Sequence, residues 1–135
     1  MNNLNKYINK LENHKLEDHQ KKRIEIIVER LYNEINSNSL IVFICTHNSR
    51  RSQFCEAWSK VLAKRYGLNI SFSSAGTTKT SVYKEVINSL KRAGVDINEK
   101  GILNIEGKSS ILYSKTLVDI KENKFISITT CTDAE

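Results

Sequence analysis

The chain has 135 residues, 21 Lys/Arg against 15 Asp/Glu, a formal charge of +6 and a hydrophobic share of 39%. This length suits one domain with a buried core. The mild positive charge suits an anionic substrate, but its lysines are scattered and no basic block or aromatic-basic motif appears, so nucleic acid ranks low as a partner. Three cysteines without disulfide-like spacing point to a reducing, cytoplasmic setting. No signal peptide is evident and no apolar run is long enough for a bilayer, so no membrane partner is expected.

Residues 1–38 read as helix. Leu4, Ile8 and Leu11 share one face, and after the polar break at Asn13-His14-Lys15 the residues Ile24, Ile27, Val28, Leu31 and Ile35 recur at helical spacing. The expectation is an N-terminal helical extension, a hairpin packed on the domain formed by residues 39–135. The sharper alternative is a dimerisation or partner-docking helix. His14 and His19 are expected in solvent.

Leu40–Ile44 is wholly apolar, as a central parallel strand covered on both faces requires. It ends at Cys45, and Thr46-His47-Asn48-Ser49-Arg50-Arg51-Ser52 follows before an amphipathic helix predicted from Arg51 to Tyr66. A thiol with an ordinary pKa near 8.5 needs a positive environment to act as a nucleophile. The helix N-terminus, the successive loop amides, the planar donor fork of Arg51 and the Ser52 hydroxyl would supply it. Asn48 tolerates the left-handed backbone that a tight loop without glycine needs. The segment Thr46–Arg51 is therefore the candidate oxyanion-binding loop, with Cys45 at its base.

The helix would bury Phe54, Trp58, Val61 and Leu62 and stop at Gly67. Cys55 reads as a buried structural thiol, with a redox role as the lesser option, and Cys45, His47 and Cys55 make no known zinc spacing, so no metal is expected. Ile70–Ser73 reads as a second strand, followed by Ser74-Ala75-Gly76. A helix over Val82–Ala93 places Val86, Ile87, Leu90 and Ala93 inward. Ile102–Tyr113 holds two short apolar stretches about Glu106-Gly107-Lys108, consistent with a hairpin. Phe125–Cys131 reads as another parallel strand. Its C-terminal end is expected beside the first loop, since sites in such sheets gather at strand C-termini.

Cys45-x5-Arg51-Ser52 after a hydrophobic strand, the loop Asn48, Ser74-Ala75-Gly76 and Ser89–Ile97 together resemble the low-molecular-weight protein tyrosine phosphatases and the thioredoxin-coupled arsenate reductases that share their fold. The match runs from about Leu40 to the C-terminus. It implies a three-layer α/β/α domain with a central parallel sheet and no cofactor. It also implies phosphomonoester hydrolysis, on phosphotyrosine proteins or small phosphomonoesters, through a cysteinyl-phosphate at Cys45. In the resembled family the serine matching Ser74 supports the loop asparagine. His47 replaces a small residue and is either a rim contact or an exposed ring. Arg50 stands where many relatives have a second cysteine, and is expected to add positive field.

Cys131 matches the first resolving cysteine of the arsenate reductases. This gives the alternative of arsenate reduction by Cys45 and Cys131, with thioredoxin as partner. The family continues through an Asp-Pro loop bearing its general acid, then a strand and helix. The sequence stops at Glu135 before any match, and Asp133 sits too early. The domain is accordingly expected to be incomplete at its C-terminus. A missing general acid costs about 10²–10⁴ in rate, which keeps a weak oxyanion- or partner-binding module in view. The N-terminal helices or a homodimer partner are expected to cover the open face.

Overall fold

Six consecutive apolar residues make β1 (Leu40–Cys45) the middle of a parallel sheet, and all but Phe43 are buried. β2 (Ser71–Gly76) lies on one side of it and β5 (Ile126–Thr129) on the other, both parallel to it. The computed structural model describes residues 2–131. Before β1 come α1 (Asn3–Glu12) and α2 (Asp18–Glu34). Between the strands lie α3 (Arg51–Arg65), α4 (Lys84–Arg92), the antiparallel pair β3 (Ile102–Ile105) and β4 (Lys108–Ile111), and a short 3-10 turn at Leu117–Asp119. Helices flank the parallel sheet, which is the three-layer α/β/α arrangement expected from the sequence.

Two apolar clusters hold these elements. The larger joins Ile8 of α1, Ala57 and Val61 of α3, Val86, Ile87 and Leu90 of α4, and Leu103 of β3. The smaller joins Leu40, Val42 and Ile44 of β1 with Ala75 and Ile120. α3 stops where its sequence says it should. Gly67 takes φ +68, and Leu68 N–H donates to the Ala63 carbonyl at 2.8 Å, an end that only a residue free of Cβ strain adopts readily.

The two N-terminal helices behave differently. α1 is knitted into the core: Ile8 is buried, and the Tyr7 ring stacks on Trp58 at 5.5 Å. Arg65 donates to the side chains of Asn5 and Asn9, and Tyr66 to Glu12. Its start also lies tight against the end of α4, because a Cβ on Gly94 would come within 2.5 Å of the Leu4 nitrogen.

α2 packs less closely than a hairpin laid on the domain would suggest. It has no buried residue. Ile27 and Leu31 line a shallow groove against β5, while Ile24 and Val28 on the same stripe stay 45% and 55% exposed. A helix along a sheet edge meets only the width of one strand, so half of an apolar stripe stays in water.

Candidate active site

Cys45 ends β1, and the chain turns at once through Thr46–Arg50 into α3. The turn is possible because Asn48 sits in the left-handed region at φ 48. Its side chain is fully buried and repays the strain with hydrogen bonds. Asn48 Oδ1 accepts from the Lys115 backbone N–H at 2.8 Å and from Gln53 Nε2 at 3.0 Å, and Nδ2 donates to Ser52 Oγ at 2.9 Å. Ser52 Oγ in turn lies 2.8 Å from Cys45 Sγ.

The loop carbonyls face away from the sulfur. Thr46 C=O accepts from Thr78 N–H at 2.9 Å, His47 C=O from Thr80 Oγ1 at 2.7 Å, and Ser49 C=O from Tyr83 N–H at 3.0 Å. With the carbonyls tied to the segment 77–83, the amides turn inward. α3 has no side-chain cap at its start, so its first N–H groups are also left for an anion.

The electrostatic result is visible at the sulfur. Burial pushes the Cys45 thiol up, but the Ser52 hydroxyl and the amides of Ser52, Asn48 and Ser49 outweigh it and hold the thiol below its ordinary value. Cys55, one helical turn on, goes the other way: burial, then the charge of Cys45, pushes it up. The two thiols are thus shifted in opposite directions. Ser52→Ala removes the strongest opposing group while burial stays, so Cys45 should titrate higher. Site-mapped iodoacetamide labelling against pH should show the Cys45 profile moving up in the variant.

A cavity of about 410 Å³ opens over the loop, lined by Cys45, Thr46, His47, Ser49, Arg50, Arg51, Thr80 and Ser81. Arg51 is exposed at the rim and its Nη1 donates to the Thr130 carbonyl at 3.4 Å. The Arg50 guanidinium lies 4.2 Å over the Tyr83 ring, which holds its charge beside the cavity. The His47 side chain is exposed at the cavity wall. At the far side, β5 delivers Cys131 as expected, with its Sγ 3.6 Å from Thr46 Oγ1. Asp133 lies outside the described residues.

One expected contact differs. Ser74 does not hold Asn48. It donates at 2.7 Å to Glu56, a carboxylate buried on α3, and Asn48 takes its partners from Ser52, Gln53 and Lys115. Glu56 also receives Lys60 Nζ at 2.7 Å and the buried Lys115 Nζ at 3.2 Å. Sequence reading passed over Gln53, Glu56 and Lys115. The signal for two of them is the polar stripe Gln53, Glu56, Lys60 on α3, beside inward-facing Ala57 and Val61. Lys115 carries no local signal.

Gly76, at the end of β2, makes room for the loop. A Cβ there would meet Thr46 O at 2.7 Å, Asn48 N at 2.9 Å and Thr78 O at 2.9 Å. Among the described residues no group of three His, Cys, Asp or Glu side chains could hold a metal ion, and no helix is long and apolar enough to cross a membrane.

Comparison with known proteins follows the same outline. Residues 40–110, over half of the chain, match the family described as low molecular weight phosphotyrosine protein phosphatase. An arsenate reductase from Bacillus licheniformis is 34% identical over 98 residues, covering 73% of this chain and 60% of that protein. One from Staphylococcus aureus is 33% identical over 98 residues, covering 70% and 62%. The chain thus spans about 60% of the length of the curated relatives it matches. A YwlE mutant from Bacillus subtilis superposes with a TM-score of 0.54 at 22% identity, over 71% of this chain and 59% of that one. A low molecular weight protein tyrosine phosphatase from the same organism gives 0.50 at 23% identity, over 70% and 57%, which again supports the shared fold. The strand, the cysteine loop and the helix that follows lie inside the matched residues, and the chain belongs to the low molecular weight phosphotyrosine protein phosphatase family.

Proposed function

We propose that the chain hydrolyses phosphomonoesters, with Cys45 as nucleophile. The observation that carries this reading is the Cys45–Ser52 contact at 2.8 Å inside a loop whose carbonyls are tied back. The Cys45 thiolate attacks phosphorus, a P–S bond forms, and the P–O ester bond breaks, the leaving alkoxide or phenolate taking its proton from solvent. Water then attacks phosphorus and the thiolate departs, accepting the Ser52 hydrogen bond again. The loop amides and Arg51 stabilise the equatorial oxygens as charge builds on them. Ser74, through Glu56, supports the helix behind the loop. Residues 39–135 carry this chemistry, and residues 1–38 brace it through α1.

The test is para-nitrophenyl phosphate hydrolysis by the full chain, because that leaving group needs little acid help. Arg51→Ala should cut kcat/KM by about 10²–10³. No turnover in the wild type, with inorganic phosphate still bound, would reduce the protein to an oxyanion-binding module.

A second reading rests on Cys131. Its sulfur sits against Thr46, next in sequence to Cys45, and the matched relatives are arsenate reductases. Here Cys45 attacks arsenate with loss of water to form an S–As bond. Cys131 then attacks the Cys45 sulfur, a disulfide forms, and the S–As electron pair leaves with arsenic as arsenite. A dithiol such as thioredoxin would restore both thiols. Cys131→Ser should abolish dithiol-dependent arsenate turnover and leave para-nitrophenyl phosphate hydrolysis intact. If arsenate turnover survives, this reading fails.

A further inference from the structure

We propose that Lys115 is a positioning residue for the Cys45 sulfur: its ammonium, clamped on Glu56, fixes the backbone N–H that orients Asn48 and, through it, the Ser52 hydroxyl. The proposal rests on Cys45 being the nucleophile and adds a residue remote in sequence to that reading.

The polarity of the hydrogen bonds carries the argument. A backbone N–H can only donate, so the Lys115 N–H at 2.8 Å fixes which end of the Asn48 amide is oxygen. The other end must then donate to Ser52 Oγ, as it does at 2.9 Å. Ser52 Oγ accepts from Asn48, and because a Cys45 thiolate carries no proton of its own, the Ser52 hydroxyl is then the donor across the 2.8 Å contact to Cys45 Sγ. The chain of donors runs one way, from Lys115 to the sulfur, and makes the sulfur an acceptor. Reversing the Asn48 amide would set two donors against each other at Lys115 and remove the donor to Ser52.

The Lys115 backbone is held from both sides. Its carbonyl accepts from Gly76 N–H at 2.8 Å. Its ammonium, on a side chain only 4% exposed, donates to Glu56 Oε1 at 3.2 Å and to the Tyr113 carbonyl at 3.3 Å, and lies 4.4 Å over the Tyr113 ring. Glu56 sits on α3, the same helix that carries Ser52. The ion pair therefore ties the donor of the chain to the element bearing its last member. A lysine is buried at a cost in solvation, and at this place the cost fixes the register of the loop. Glu56, Lys60 and Asp119 are the charged groups that act on Lys115. At the Cys45 sulfur the Ser52 hydroxyl and the amides of Ser52, Asn48 and Ser49 oppose burial, and His47, Arg50 and Arg51 line the same cavity; Lys115 reaches the sulfur through its backbone bond to Asn48.

The experiment is labelling of Cys45 by iodoacetamide across pH in the full chain, with mass-spectrometric mapping to separate it from Cys55 and Cys131. Lys115→Met keeps the length of the side chain and removes the clamp. Labelling of Cys45 below neutral pH should fall about tenfold, the profile moving up by about one pH unit. Lys115→Met with Glu56→Leu removes the stranded carboxylate, should melt closer to the wild type, and should keep the raised profile. A wild-type profile in either folded variant overturns the proposal, because the clamp then only fills space. If the wild-type Cys45 itself titrates like an ordinary thiol, the nucleophile reading falls with it, whatever the variants do.

Discussion

Cys45→Ser should bring para-nitrophenyl phosphate hydrolysis down to the uncatalysed background, a loss of about 10⁴-fold or more. A serine hydroxyl is a far weaker nucleophile at neutral pH, and the loop is built to stabilise a thiolate rather than to take a proton from an alcohol. The loop itself should survive, since Asn48 is held by Gln53, Ser52 and Lys115 and not by the sulfur. Calorimetry should therefore still record phosphate binding in the variant. Residual turnover near the wild-type rate would mean that another group attacks, and the proposed mechanism would be lost.

Gly76→Ala is expected to have the second largest effect. The new Cβ would press on two carbonyl oxygens and one amide nitrogen, at 2.7, 2.9 and 2.9 Å. None of these is the flexible end of a side chain. To reach ordinary contact the strand or the loop must move by roughly half an ångström to 1 Å, and the Asn48 amide is among the atoms displaced. Misplacing a catalytic loop on that scale costs about 10² in rate, and overpacking adds about 1–3 kcal/mol of instability. Gly67→Ala is the control. It meets nothing within 4 Å but takes φ +68, so it should lower stability by about 1 kcal/mol and leave kcat unchanged. Denaturant melts beside steady-state rates separate the two effects. Equal rate losses in both variants would show that Gly76 acts through general stability.

The parts that sequence reading reached are those governed by neighbours along the chain. Leu40–Cys45 announces a buried strand by its unbroken apolar run. Asn48 announces the left-handed turn because a tight loop without glycine has few other choices. Cys131 could be placed beside the loop because parallel strands bring their C-termini together. What escaped is set across the chain. Ser74 belongs to Glu56 rather than to Asn48, and nothing local to Ser74 says so. Lys115 lies in a connection whose sequence looks like any polar loop, yet its side chain is buried. The α2 stripe was legible as a helix but not as one left half in water. The width of the surface it meets depends on β5, more than 90 residues later in the chain.

The bond from Lys115 to Asn48 spans 67 residues, and it has a consequence for the order of folding. The loop residues sit next to one another in sequence, but the contact that sets their polarity closes a long stretch of chain. Contacts of such separation form late, after most of the loop-closure entropy has been lost. While the chain is being made or is unfolding, Cys45 is an ordinary thiol with no aligned donors. On the proposed mechanism its reactivity should appear only with the completed tertiary structure. An electrophile that labels Cys45 faster than Cys55 is thus a direct counter of fully folded molecules.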